Sequence, residues 1–175
     1  MDEFKADANK LVGTIDFIQL DNNGGIKVIA NITGATVGKH GFHVHDKSDL
    51  SKKCNNTGPH FNPFNKEHGA PTDAERHVGD LGNIEVTDAS KPTIFEITDK
   101  LISFSGDANI MGKGFVIHQG EDDLGKGGHA DSKTTGHAGA RWACGVIEST
   151  SSSNGQWFSF GSLFFAILAY TVFNR

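Results

Sequence analysis

Several residue types are scarce in this chain of 175 residues: methionine, cysteine and tryptophan occur twice each, proline four times and tyrosine once. Basic charge is also short, with 16 Lys and Arg against 21 Asp and Glu, so the formal net charge is −5. That balance excludes a general nucleic-acid binder, which carries a basic stripe or a high pI. No long helical periodicity runs through the first 150 residues, so a helical bundle is not expected. The opening MDEFKADANK lacks the apolar stretch of a secretory signal peptide and makes a weak edge strand at best.

Glycine, by contrast, occurs 22 times, in keeping with the many tight turns of a small all-β fold. Short β-rich runs alternate with turn residues. They are Leu11 to Leu20, Ile26 to Thr33, Gly41 to His45, Gly82 to Thr87, Pro92 to Thr98, Leu101 to Ser105, Lys113 to His118 and Ala143 to Ile147. About eight short strands predict a sandwich or barrel. Two segments break that spacing, Asp46 to Gly79 and Gln119 to Arg141, which together are rich in Gly, Pro, Asn, Asp and His. Loops of this length are functional or disordered, and their histidines favour function.

The C-terminal end reads differently. A polar linker over 149–156 precedes a tail over 157–175, in which Trp157 to Phe173 carry no charge. As a helix those 17 residues would span about 25 Å against a hydrocarbon core of about 30 Å. The expectation is a membrane-associated or cell-surface protein, held by this tail or by a lipid that replaces it, and otherwise a cytoplasmic one.

Nine histidines remain, five of them between His43 and His77. His43 and His45 stand two apart on a strand and leave the same face. His60, His68, His77 and Asp80 follow, and His118 lies in a separate strand. Neutral imidazoles with one carboxylate suit Zn(II) or Cu(II), which prefer nitrogen donors. Order along the chain does not assign ligands to ions.

Several longer motifs are more specific: Gly41-Phe42-His43-Val44-His45, Gly58-Pro59-His60-Phe61-Asn62-Pro63, Arg76-His77-Val78-Gly79-Asp80-Leu81-Gly82-Asn83, Asp123-Leu124-Gly125-Lys126-Gly127-Gly128 and Gly139-Ala140-Arg141-Trp142-Ala143-Cys144-Gly145-Val146-Ile147. Collinear from about Leu11 to Ile147, they resemble the copper/zinc superoxide dismutase family. The resemblance implies an eight-stranded Greek-key β-barrel or sandwich over residues 1–148, with the two long loops as its functional part. It implies one copper, held by His43, His45, His60 and His118, and one zinc, held by His60, His68, His77 and Asp80, with His60 bridging. Asp122 matches the carboxylate that links a copper-ligand histidine to a zinc-ligand histidine. Cys54 and Cys144 match a disulfide.

The implied reaction turns two superoxide ions and two protons into dioxygen and hydrogen peroxide through alternating Cu(II) and Cu(I). His60 handles the proton and Arg141 draws in and orients the anion. A copper-loading chaperone is the implied partner. The chain also departs from the family pattern. Gly120 and Thr134 stand where many members have substrate-steering lysines, with Lys133 one residue away. Lys47, Ser48 and Ser149 occupy the usual subunit contact, which predicts a weakened homodimer. His40, His129 and His137 match no ligand position and read as exposed loop histidines. A copper-carrying domain would be expected to show a further cysteine motif, and a relic would have lost ligands; neither description fits.

Overall fold

The computed structural model describes residues 10–21, 24–149 and 170–174. Its strands are β1 (Lys10–Gln19), β2 (Ile26–Ile32), β3 (Gly38–His45), β4 (Asp80–Val86), β5 (Thr93–Asp99), β6 (Gly114–His118), β7 (Arg141–Val146) and β8 (Tyr170–Asn174). The only α-helix among the described residues is the single turn α1 (Ser132–Thr135). All ladders are antiparallel, in the order β4-β3-β6-β7-β8-β1-β2-β5. Neighbours such as β2 with β5 and β3 with β6 are not consecutive in the chain, which is the Greek-key connection.

Alternation builds the barrel wall. On β2, Ile26, Val28, Ala30 and Ile32 point inward while the residues between them are at least partly exposed. The hairpin register sets Gln19 opposite Ile26 and Gly13 opposite Ile32, so Ile15 and Phe17 of β1 join the same core. At its centre Phe42 and Phe115 meet edge-on at 6.4 Å, and Phe17 packs on Phe115 at 6.3 Å. Such aromatic pairs add to the burial of their area.

On β3, Phe42 and Val44 enter this core, which turns His43 and His45 to the opposite face. That face is buried too, because the two long connections lie over it: 46–79 between β3 and β4, and 119–140 between β6 and β7. Both are tied down. A disulfide joins Cys54 to Cys144 of β7, with Cα atoms 6.0 Å apart. Arg76 makes a buried ion pair with Asp99 of β5 at 2.6 Å and donates to the carbonyl of Asp80 at 2.8 Å.

The number of strands agrees with the sequence expectation, but their identity differs at one place. Leu101 to Ser105 does not form a strand; only Ser103 makes an isolated bridge, to Asn109. The carboxylate of Asp99 accepts from the backbone amides of Leu101 and Ile102 at 2.7 and 2.9 Å, turning the chain before a ladder can continue. The eighth strand is instead β8, which fills the slot between β1 and β7. Most of the apolar tail, 157–169, lies outside the described residues, as do the first nine residues of the chain. Among the described residues no helix is long and apolar enough to cross a membrane.

Candidate metal centre

Seven side chains from β3, β4, β6 and the first long loop converge beneath the loops. His43 and His45 come from β3, His118 from the end of β6 and Asp80 from the start of β4. His60, His68 and His77 come from the loop, with His60 fixed by a bridge to His45. All are buried, and His43 and Asp80 are fully so.

One nitrogen of each ring is spoken for, and that decides where the other points. His45 donates through Nδ1 to the Gly58 carbonyl at 2.8 Å, and His118 through Nδ1 to the Gly139 carbonyl at 3.0 Å. His43 donates through Nε2 to Asp122 at 2.9 Å. The remaining atoms, His43 Nδ1, His45 Nε2, His118 Nε2 and His60 Nε2, are buried with no hydrogen-bond partner. Ligand atoms of these four residues lie within 4.8 Å of one another. Four buried lone pairs with no donor to meet are costly unless a cation takes them.

Beside this group a second forms around one carboxylate oxygen. Asp80 Oδ1 lies 2.9 Å from His60 Nδ1, 3.0 Å from His68 Nδ1 and 3.1 Å from His77 Nδ1. The Nδ1 atoms of His60 and His77 approach to 3.4 Å. Donors about 2.0–2.1 Å from one tetrahedral ion stand about 3.3 Å apart, so this spacing fits zinc. A four-atom set with His43 in place of His77 also falls within 4.8 Å. However, Nε2 of His43 faces Asp122 and its Nδ1 belongs with the first group. His60 presents one nitrogen to each group.

Asp122 joins the two groups from behind, with Oδ2 on His43 Nε2 at 2.9 Å and Oδ1 on His68 Nε2 at 2.8 Å. Asn83 grips its backbone twice, accepting from the Asp122 amide at 2.8 Å and donating to its carbonyl at 2.9 Å. Gly136 lies so close that a Cβ there would overlap Asp122 Oδ1 and His68 Nε2.

The electrostatics match these partners. Burial, reinforced by the neighbouring His60, holds His43 and His45 well below the usual histidine range. Burial brings His118 down to about 4. Burial opposes charge on His68 as well, but the carboxylates of Asp122 and Asp80 outweigh it and raise this ring to about 9. For Asp80, hydrogen bonds from His60, His68 and His77 overcome burial and keep the carboxyl far below its usual range. The first group is therefore neutral and ready to ligate, while in the second group anionic Asp80 pairs with a charged His68, whose proton an incoming cation displaces.

Arg141, half-buried at the start of β7, lies over the loop that carries Cys54. Its guanidinium donates to the carbonyls of Cys54 at 2.8 Å and Gly58 at 2.7 Å, and to Thr57 Oγ1 at 2.6 Å. Its charge reaches the rings, adding to the depression of His45 and His118.

His40 is not the exposed loop residue expected. It is buried, with Nδ1 2.9 Å from the His118 carbonyl and Nε2 2.8 Å from the Thr36 carbonyl. It thereby ties the backbone of a candidate ligand to the entry of β3. Arg76 and Asn83 also went unassigned although both stand in the quoted motifs. Their position flanking His77 and Asp80 was the available signal. His129 and His137 are exposed, as expected.

A Greek-key barrel carrying two adjoining cation sites that share an imidazole defines a dinuclear β-barrel metalloprotein. Residues 11–147 match the family model of copper/zinc superoxide dismutase. The chain is 50% identical over 135 residues, 77% of its length, to superoxide dismutase [Cu-Zn] 5 of Dictyostelium discoideum, of which 88% is covered. It is 51% identical over 140 residues to superoxide dismutase [Cu-Zn] of Yarrowia lipolytica, spanning 79% of this chain and 90% of that one. The extracellular superoxide dismutase [Cu-Zn] of Caenorhabditis elegans is 49% identical over 149 residues, 82% of this chain and 66% of that protein. Among solved structures, that of the clock protein EA4 superposes with a TM-score of 0.69 at 40% identity, covering 83% of this chain and 97% of its own. The chain belongs to the copper/zinc superoxide dismutase family.

Proposed function

We propose that this chain disproportionates superoxide, combining two superoxide ions and two protons into dioxygen and hydrogen peroxide, with copper on His43, His45, His60 and His118 and zinc on His60, His68, His77 and Asp80. The observation that carries this reading is the set of buried, partnerless ring nitrogens gathered on either side of His60. When bound, copper supplies a one-electron acceptor and donor in one pocket, and zinc supplies a fixed positive charge without redox chemistry.

The chain's own groups do the rest. His43, His45 and His118 stay neutral through burial and keep their lone pairs directed inward. His60 Nε2 is the atom that takes up and returns a proton, and Asp80 on its Nδ1 side keeps the ring from turning. Arg141 supplies the positive charge for an anionic substrate, its fork held rigid by four loop acceptors, the Asn55 carbonyl included. Asp122 fixes the orientation of His43 and His68 together.

Metal analysis and superoxide-removal rates on the purified full chain test this. One copper and one zinc per chain with rapid turnover is expected. Turnover absent after loading, or retained when His60→Ala abolishes bound copper, would overturn it.

Copper delivery by a loading chaperone belongs to the same reading. A homodimer through the usual contact is weak, since Lys47, Ser48 and Ser149 are exposed polar residues there. Membrane attachment through 157–173 requires Tyr170 to Phe173 to leave β8, because a spanning run and a barrel strand cannot share residues. Flotation of the full chain with phospholipid vesicles tests that alternative.

A further inference from the structure

Superoxide is an anion, whereas the chain carries a formal net charge of −5 and has Gly and Thr at positions 120 and 134. The potential that an approaching anion meets is therefore set by the charges that remain around Arg141 and His60.

The cations closest to the zinc-side ligands are already matched. His60 and His77 open onto a cavity of about 710 Å³ whose wall includes Asp46, Lys66, Glu67 and Lys133. Lys133, one residue from the missing lysine, stands 3.7 Å from Glu67. Lys66 pairs with Glu75 at 2.8 Å, and Asp46 with Lys113 at 3.0 Å. Each charge on that wall has an opposite one beside it, so together they attract a distant anion little.

Lys47 differs from all of these. It is exposed, and its ammonium has no ion-pair or hydrogen-bond partner among the described residues. Its backbone belongs to the platform that holds Arg141. The Lys47 amide donates at 2.9 Å to the carbonyl of Thr57, whose hydroxyl accepts from Arg141 at 2.6 Å. The Lys47 carbonyl accepts from the Gly114 amide of β6 at 3.1 Å. The stem then runs along Gly58: Cγ and Cδ stand 3.5 Å, and Cε 3.7 Å, from where a Cβ on that glycine would be. On its other side the Gly58 carbonyl accepts from Arg141 at 2.7 Å and from the His45 ring at 2.8 Å. The ammonium and the guanidinium thus both lie within a Debye length, about 10 Å at 0.1 M salt, of one carbonyl oxygen.

We propose that Lys47 is a substrate-steering residue, which adds to Arg141 the positive potential that draws superoxide towards the copper ligands; this rests on the superoxide reading above. Lys47 touches none of the reacting atoms and acts through its field alone. The usual subunit contact would cover this side chain, whereas a chain that does not pair there leaves it open to incoming anions.

Stopped-flow decay of superoxide over a range of ionic strength, on the full chain holding one copper and one zinc, tests this. Lys47→Gln is expected to lower the low-salt second-order rate by about 1.5–2-fold and Lys47→Glu by about 2–4-fold, both differences fading at high salt. Lys47→Arg is expected to keep the native rate and salt dependence. Azide, a small anion that ligates Cu(II), gives a second readout through the absorption of its copper complex, and its affinity is expected to fall in the same order. Lys91→Gln makes the same change in net charge on the turn between β4 and β5, at the end of β4 away from Asp80, and is expected to alter neither. Native copper and zinc content in each variant shows that the site is intact. Low-salt rates and azide affinity of Lys47→Glu equal to those of the native chain would overturn the proposal. An equal loss in Lys91→Gln would do so too, as would sedimentation of the native chain as a tight dimer at assay concentration. A native chain that binds azide without removing superoxide would overturn the superoxide reading instead, and the azide series would still decide the role of Lys47.

Discussion

Asp122 is a single carboxylate serving two rings, and its geometry leaves neither oxygen free. Replacing it by Asn puts an NH2 group against one of two nitrogens that donate, so either His43 or His68 loses its orientation. Asp122→Asn is expected to weaken copper and zinc together, by about 10–100-fold each, measured by competition with a chelator of known affinity. Arg141 offers a different test, since charge and shape separate there. Arg141→Ala is expected to lower the second-order rate by about tenfold or more and to flatten its dependence on salt, with metal content unchanged. Arg141→Lys keeps the charge but not the fork that holds Cys54, Thr57 and Gly58, so it is expected to retain the salt dependence at an intermediate rate. Stopped-flow decay of superoxide at several ionic strengths distinguishes the two. At this scale the candidate ligands His43, His45, His60, His77 and Asp80 were legible because they sit within long motifs, while His68 and His118 lie outside them. His40 was not legible: its partners are the carbonyls of Thr36 and His118, and no pattern of side chains encodes a backbone acceptor.

Three of the seven candidate ligands stand on the first long loop, whose order comes from a few fixed points. Cys54 and Cys144 are 90 residues apart, a closure that restricts the unfolded chain by about 4–5 kcal/mol on the chain-entropy account. The same bond holds the Cys54 carbonyl where Arg141 can reach it. Reduction is therefore expected to lower the unfolding midpoint in denaturant by several tenths of a molar or more and to slow turnover at once, read by parallel unfolding curves and rates with and without a thiol reductant. The strands were legible wherever one face is polar and the other apolar, as on β2. They were misread where a local side-chain bond intervenes: Leu101 to Ser105 alternates like a strand, yet Asp99 captures its first amides. The uncharged tail was read by length and lack of charge as a membrane run. Only Tyr170 to Phe173 of that run stand in β8, and 157–169 lie outside the described residues.

Across the whole molecule the buried histidines make the metal-free protein sensitive to pH in two opposite senses. His43, His45 and His118 titrate lower folded than unfolded, so the unfolded chain binds more protons below the ordinary histidine range. Stability from these rings is present above about 6.5 and is lost as pH falls towards about 4, the folded value of His118. His68 is raised to about 9, so its contribution is complete below about 6.5 and is lost as pH rises through 9. Urea unfolding of the chelator-stripped chain at pH 5, 7 and 9 is expected to give the highest midpoint near 7. A midpoint rising steadily from 5 to 9 would show that His68 is not charged in the folded state. The register of β8 carries a further implication, for synthesis. Asn174 pairs with Lys10 and Tyr170 with Ile15, so the strand beside β1 is made after the other seven described strands. While translation proceeds, β1 and β7 each face an empty lane with unpaired amides and carbonyls, the kind of edge on which nascent chains stick to one another. Barrel closure waits for β8, the last of the described strands to be made, and until then the nascent chain depends on whatever shields those two edges.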